Sequence, residues 1–182
     1  MRTERHPLYF IAVLPPEEIQ AEITAFKERI AGTWGPRHAL RSPPHITLFP
    51  PFSWPDRQLP ALIKSLGSFA KGLTAFYVEL KNFEAFPPGV IFVNPLKNKQ
   101  LELLFQKLAR HLELNFHCTD ARNARPFHPH MTIAHRDLPE DSFPAIWTAF
   151  RDKSYERIFR VNAIVLLKQE NGRWEPLQTF PF

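Results

Sequence analysis

The hydrophobic pattern changes period several times along the chain. Leu8 to Leu14 is an unbroken apolar run that reads as a buried strand, halted by Pro15-Pro16. Pro16 suits the first turn of a helix, and Glu17 and Glu18 sit favourably against its dipole. Ile19, Ile23, Phe26 and Ile30 keep three-to-four spacing, so the pattern predicts an amphipathic helix that stops near Gly32 to Gly35. Arg37 to Pro44 reads as a loop, followed by the short alternating run from His45 to Leu48. The prolines in Phe49 to Pro55 predict a stiff aromatic loop with no ladder bonding. A helix is expected over roughly Asp56 to Lys71. Strands are expected near Thr74 to Leu80 and Val90 to Val93, joined through Pro87-Pro88-Gly89.

The order then repeats. Leu101, Leu104, Phe105 and Leu108 mark a helix over Lys97 to Leu112, then come an Arg- and Asn-rich loop and a second alternating run, Pro129 to Ile133. A helix over Pro139 to Phe150 follows, with strands near Tyr155 to Arg160 and Ala163 to Lys168, and Asn171-Gly172 signals a hairpin into a last strand, Trp174 to Phe180. Each half therefore reads helix, alternating strand, helix, strand, strand. The expected class is α+β: a single two-lobed domain over residues 1–182, with two antiparallel sheets, helices on their outer faces, a pseudo-two-fold axis and a central groove.

The two alternating runs, Pro44-His45-Ile46-Thr47-Leu48 and Pro129-His130-Met131-Thr132-Ile133, nearly match residue for residue. On a strand His45 and Thr47 face one way while Ile46 and Leu48 face the other, and the second copy divides alike. If the polar faces converge, they supply two imidazoles for proton transfer and two hydroxyls to hold an oxyanion, an arrangement suited to a phosphate diester.

Composition narrows the setting. Hydrophobic residues make up 44 % of the chain and 17 are Phe, which excludes a disordered polymer. No apolar run approaches the ~20 residues of a membrane helix, and the single cysteine, Cys118, accords with a reducing compartment, so a cytoplasmic protein with no membrane partner is expected. The net charge of +5 favours polyanions, and Arg37, Arg41, Arg122, Arg125 and Arg136 lie near the two motifs in sequence.

On these residues the chain resembles the two-histidine phosphoesterase superfamily, in its RNA 2′,3′-cyclic phosphodiesterase or 2′-5′ RNA ligase branch. The mark is the doubled His-x-Thr-x, His45-Ile46-Thr47-Leu48 and His130-Met131-Thr132-Ile133, and the opening from Phe10 to Glu17 is similar to the family's first strand and helix. Members of the RNA-processing branch often carry an Arg five positions after the second histidine. Here that position is His135, with Arg136 next. The resemblance implies a cyclic phosphodiesterase acting on RNA ends or small nucleotides that bear a cyclic phosphate, with His45 as acid, His130 as base and 2′-5′ ligation as the reverse reaction.

Read from the residues alone, the acid and base roles are symmetric. Two imidazoles of pKa ~6.5 can share the work near neutral pH without a metal or cofactor, and Thr47 and Thr132 would bind the phosphate oxygens. Phe49, Phe52, Phe127 and Arg136 are candidate substrate-binding residues, with Trp54 beside them as a possible stacking ring. His6, His38, His111 and His117 read as surface or loop histidines. A metal site on His128, His130 and His135 is the weaker reading, because Pro129 disturbs the strand and no carboxylate or thiolate has ligand spacing. The alternative function is a noncatalytic nucleotide- or RNA-binding module using the same groove, which turnover would distinguish. A monomer is favoured.

Overall fold

The computed structural model describes residues 6–120 and 126–182, so Arg122 and Arg125 lie outside the described residues. In chain order the elements are β1 (Leu8–Val13), α1 (Glu17–Trp34), a 3-10 turn (His38–Arg41), β2 (Ile46–Ser53), α2 (Leu59–Ala70), β3 (Phe76–Phe86), β4 (Val90–Pro95), α3 (Lys99–Phe116), β5 (Met131–His135), α4 (Phe143–Phe150), β6 (Glu156–Val161), β7 (Ala163–Glu170) and β8 (Arg173–Pro181). The fold is α+β, with two antiparallel four-stranded sheets of order β2-β1-β7-β8 and β5-β4-β3-β6.

The halves of the sequence are not the two sheets. The β3–β4 hairpin of the first half joins the second motif strand β5, while β7 and β8 of the second half complete the sheet of β1 and β2. Each motif strand ends up as an edge strand with one ladder partner: β2 on β1 and β5 on β4. The helices cross as well, α1 packing against β5 and α3 against β2. One core cluster, including Ile23 and Ile30 of α1, Leu48, Leu66, Val93, Leu104 and Ile133, is therefore shared by both sheets.

β1 is apolar throughout because both of its faces are covered. Tyr9, Ile11 and Val13 enter the shared core, whereas Phe10 and Ala12 join Val165, Leu167 and the flanking Leu14 and Trp174 in a second, smaller cluster. α1 ends where Gly35, at φ 98°, returns its N–H to the Ala31 carbonyl, and the Asn171-Gly172 turn uses positive φ at both residues (50° and 77°).

The aromatic loop expected at Phe49 to Pro55 is instead the second half of β2. It pairs with β1 as far as Ser53 opposite Leu8. Proline removes one donor, and an edge strand has a side that needs none. The register shifts between Tyr9 and Ile11, where Pro50 and Pro51 pass opposite Phe10 as a bulge. Among the described residues no helix is long and apolar enough to cross a membrane.

Candidate active site

The alternation read from the motifs is present at both edges. Ile46, Leu48, Met131 and Ile133 are at most 1 % exposed, and Thr47 and Thr132 stand on the opposite face. Thr47 lies opposite Ala12 of β1 and Thr132 opposite Phe92 of β4. His45, Thr47, His130 and Thr132 all line one cavity of about 320 Å³.

Both histidines are held in the same way. His45 Nδ1 lies 2.7 Å from the Pro43 carbonyl oxygen, and His130 Nδ1 lies 2.7 Å from that of His128. A carbonyl can only accept, so Nδ1 carries the hydrogen in each ring and Nε2 is left to exchange protons. Each ring also rests on aromatics: His45 on Phe10 at 4.7 Å, and His130 against Phe86 and Phe92, both at 5.6 Å.

Burial pushes the His45 pKa down to about 4, helped by the Lys27 ammonium and by His130 and His135, and opposed by the Pro43 carbonyl. Burial likewise lowers His130, with His128 adding to it and the carbonyl of His128 working against it. In the free protein both rings are therefore neutral at pH 7. A bound anion would bring the negative charge that favours protonating one of them.

Two further histidines reach this cavity. His38, expected at the surface or in a loop, lies in the 3-10 turn between α1 and β2 and lines the cavity from there, with its ring 4.9 Å from that of His135. His135 is pushed down to about 4 by burial, then by His38 and Arg136, and its Nε2 is buried without a hydrogen-bond partner among the described residues. Arg136 also lines the cavity. It sits at φ 60° in a three-residue turn closed by the Asp137 N–H on the His135 carbonyl at 2.8 Å, a strained backbone for a bulky residue. That turn brings the Asp137 carboxylate onto the N–H groups of Arg37 and His38, at 2.6 and 2.8 Å, and so fixes the 3-10 turn against the end of β5.

The other expected residues lie elsewhere. Phe49 is 1 % exposed in the core, Phe52 packs on Tyr9, Phe49 and Trp54, and Phe127 stacks on Phe105 of α3 at 4.3 Å. Aromatics that do line the cavity are Phe10 and Trp174, in edge contact at 4.7 Å. Neither stood near a motif in sequence, so only the sheet order could reveal them. Of the other histidines read as surface or loop, His111 sits on α3 with Nε2 2.8 Å from Ser65 Oγ of α2. Among the described residues no group of three or more His, Cys, Asp or Glu has the geometry of a metal site.

Lys27 was also missed. It is the buried charged residue among those described, 2 % exposed, and its ammonium donates to the Ser42 carbonyl at 3.0 Å. The available signal was position: Lys27 falls four residues after Ile23 and three before Ile30, on the core-facing stripe of α1.

The family model described as "2'-5' RNA ligase superfamily" matches residues 15–173. The chain belongs to the 2′-5′ RNA ligase superfamily. A protein of Geobacillus sp. (strain WCH70), named "Putative phosphoesterase", is 28 % identical over 175 residues, covering 94 % of each chain. Among solved structures, E. coli LigT with 3′-AMP has 20 % identity and a TM-score of 0.71 over 97 % of this chain and 98 % of that one. A Thermus thermophilus protein has 21 % identity and a TM-score of 0.68 over 96 % and 97 %. These structural likenesses show a shared fold over nearly the whole chain.

Proposed function

We propose that this member of the superfamily is a metal-independent cyclic phosphodiesterase that opens a 2′,3′-cyclic phosphate at an RNA end or on a small nucleotide. The observation that carries the reading is the matched pair of Nδ1-to-carbonyl bonds at His45 and His130, each beside a threonine on one cavity. Such bonds present two Nε2 atoms as a proton acceptor and a proton donor. One imidazole takes a proton from water as its oxygen attacks phosphorus; the other gives a proton to the ribose oxygen as its P–O bond breaks. Thr47 and Thr132 hydroxyls donate to the nonbridging oxygens, where charge builds up. With a 5′-hydroxyl in the place of water, the same groups would join it to a 2′,3′-cyclic end: one imidazole takes the hydroxyl proton as the 5′-oxygen attacks phosphorus, and the other protonates the departing 3′-oxygen, leaving a 2′-5′ linkage.

The phosphate supplies part of its own catalysis. With both rings neutral in the free protein, the dianionic charge of the transition state is what favours an imidazolium in the pair. The relative solved with 3′-AMP, a nucleotide carrying a phosphate on the ribose 3′-oxygen, supports a nucleotide product of this type. The test is turnover of 2′,3′-cyclic nucleotides and cyclic-phosphate-ended oligonucleotides with EDTA present. Hydrolysis that survives EDTA and disappears in the His45→Ala, His130→Ala double variant is expected. Tight binding without turnover would favour a noncatalytic nucleotide-binding module instead.

A further inference from the structure

A second cavity, of about 240 Å³, opens beside the two-histidine cavity and shares Arg41, Ser42 and Trp174 with it. Lys27 lines it, although the residue as a whole is only 2 % exposed. Burial alone pushes this lysine down to about 8, so it is mostly charged at neutral pH; no carboxylate among the described residues holds it up. Among the described residues its hydrogen-bond partner is the neutral Ser42 carbonyl, which takes one of its three hydrogens. An ammonium buried in this state is costly unless an anion joins it.

The rest of the lining points the same way. Arg173 reaches the Leu40 carbonyl at 3.3 Å and lies 3.8 Å from Glu175, and Arg41 stands at the junction of the two cavities. Among the described lining residues, three cations thus stand with one carboxylate. Trp174 lines both cavities, so a ribose or base reaching from one to the other would lie against it.

We propose that this second cavity is a subsite for a phosphate on the 5′-oxygen of the nucleotide whose 2′,3′-cyclic phosphate is opened, so that the protein prefers ends with a phosphate on that side to bare cyclic nucleosides. The proposal rests on the cyclic phosphodiesterase reading above. The phosphate is either a terminal monoester or the next diester of an RNA chain, and both present negatively charged nonbridging oxygens to Lys27, Arg41 and Arg173.

The test compares kcat/KM for a nucleoside 2′,3′-cyclic phosphate, its 5′-phosphorylated form and a dinucleotide ending in the same cyclic phosphate. The 5′-phosphate is expected to raise kcat/KM by about tenfold or more, the range of one charge-assisted contact, and the advantage should shrink with added salt. A dinucleotide that exceeds the 5′-phosphorylated mononucleotide identifies RNA as the source; equal values identify the monoester as sufficient. Arg173→Ala should reduce the advantage and Glu175→Gln should enlarge it, the advantage being read as the ratio of kcat/KM with and without the 5′-phosphate. Should Arg173→Ala disturb the turn at Leu40, all substrates would lose alike, and Glu175→Gln, at an exposed position, decides. No advantage for the 5′-phosphate in the wild-type protein, or an advantage unmoved by Glu175→Gln, overturns the subsite. If no cyclic substrate turns over, the catalytic reading fails separately. The subsite is then judged by calorimetric binding of a nucleoside 3′-phosphate against the 3′,5′-bisphosphate, where equal affinity overturns it.

Discussion

Between pH 8 and pH 5 the unliganded protein is expected to lose stability because His45 and His135 fold as neutral rings. Both have native pKa values near 4, against ~6.5 in an unfolded chain. A depressed histidine contributes its full stability above pH 6.5 and loses it as pH falls from 6.5 to 4, because the unfolded chain takes up the proton first. At pH 5 the unfolded ring is almost fully protonated and the native ring about one-tenth so; integrating that difference gives about 2 kcal/mol per histidine. The pair then removes roughly 4 kcal/mol from a total that for most domains is about 5–15 kcal/mol. His38 and His130 are lowered too and act in the same direction. The assay is urea unfolding at both pH values for the wild-type chain, His45→Gln and His135→Gln. Each variant should lose about 2 kcal/mol less than wild type across the interval, whatever its absolute stability, because carboxylates titrating in this range are common to all three. Equal losses in wild type and His45→Gln would refute the neutral buried ring.

Three further outcomes are expected. His45→Ala and His130→Ala should each lower kcat on a cyclic phosphate by ~10²–10⁴-fold, with Thr47→Ala and Thr132→Ala costing about tenfold or less, and the wild-type rate should trace a bell against pH; a monotonic profile in steady-state kinetics would contradict a two-imidazole mechanism. Asp137→Ala removes the carboxylate from the N–H groups of Arg37 and His38, so thermal unfolding should show a loss of about 1–2 kcal/mol, and an unchanged Tm would mean that the 3-10 turn is held otherwise. Lys27, lowered from 10.5 to about 8, should make wild-type stability rise between pH 8 and about pH 10, since the unfolded chain then holds the proton that the native lysine has released; Lys27→Met should abolish the rise in denaturant titrations.

The fold was legible where periodicity had one explanation. Ile19, Ile23 and Ile30 marked the buried stripe of α1, and Asn171-Gly172 marked the turn of the β7–β8 hairpin, because spacing and turn chemistry are local. Pairing is not local. Nothing in the β3–β4 run says that it joins β5 and not β2, since a strand's apolar face fits either sheet. The prolines at 50 and 51 misled for a related reason: their cost depends on whether the strand has one neighbour or two, and β2 has one.

The candidate site was legible in its four motif residues and not in what surrounds them. His38, Phe10 and Trp174 reach the cavity from the 3-10 turn, β1 and β8, so their place follows from topology. One device was in plain sight without its meaning. Each motif histidine follows a proline, in Pro43-Pro44-His45 and His128-Pro129-His130. Proline fixes φ near −65° at residues 44 and 129, and it keeps the residue before it out of the helical region. The backbone at the −2 position is thus restricted before the strand begins, and in both copies the −2 carbonyl meets the imidazole Nδ1 at 2.7 Å. The proline contributes no chemistry of its own. It narrows the choices of the carbonyl that sets the tautomer, and the tautomer decides which nitrogen is free for the proton transfers proposed for the pair.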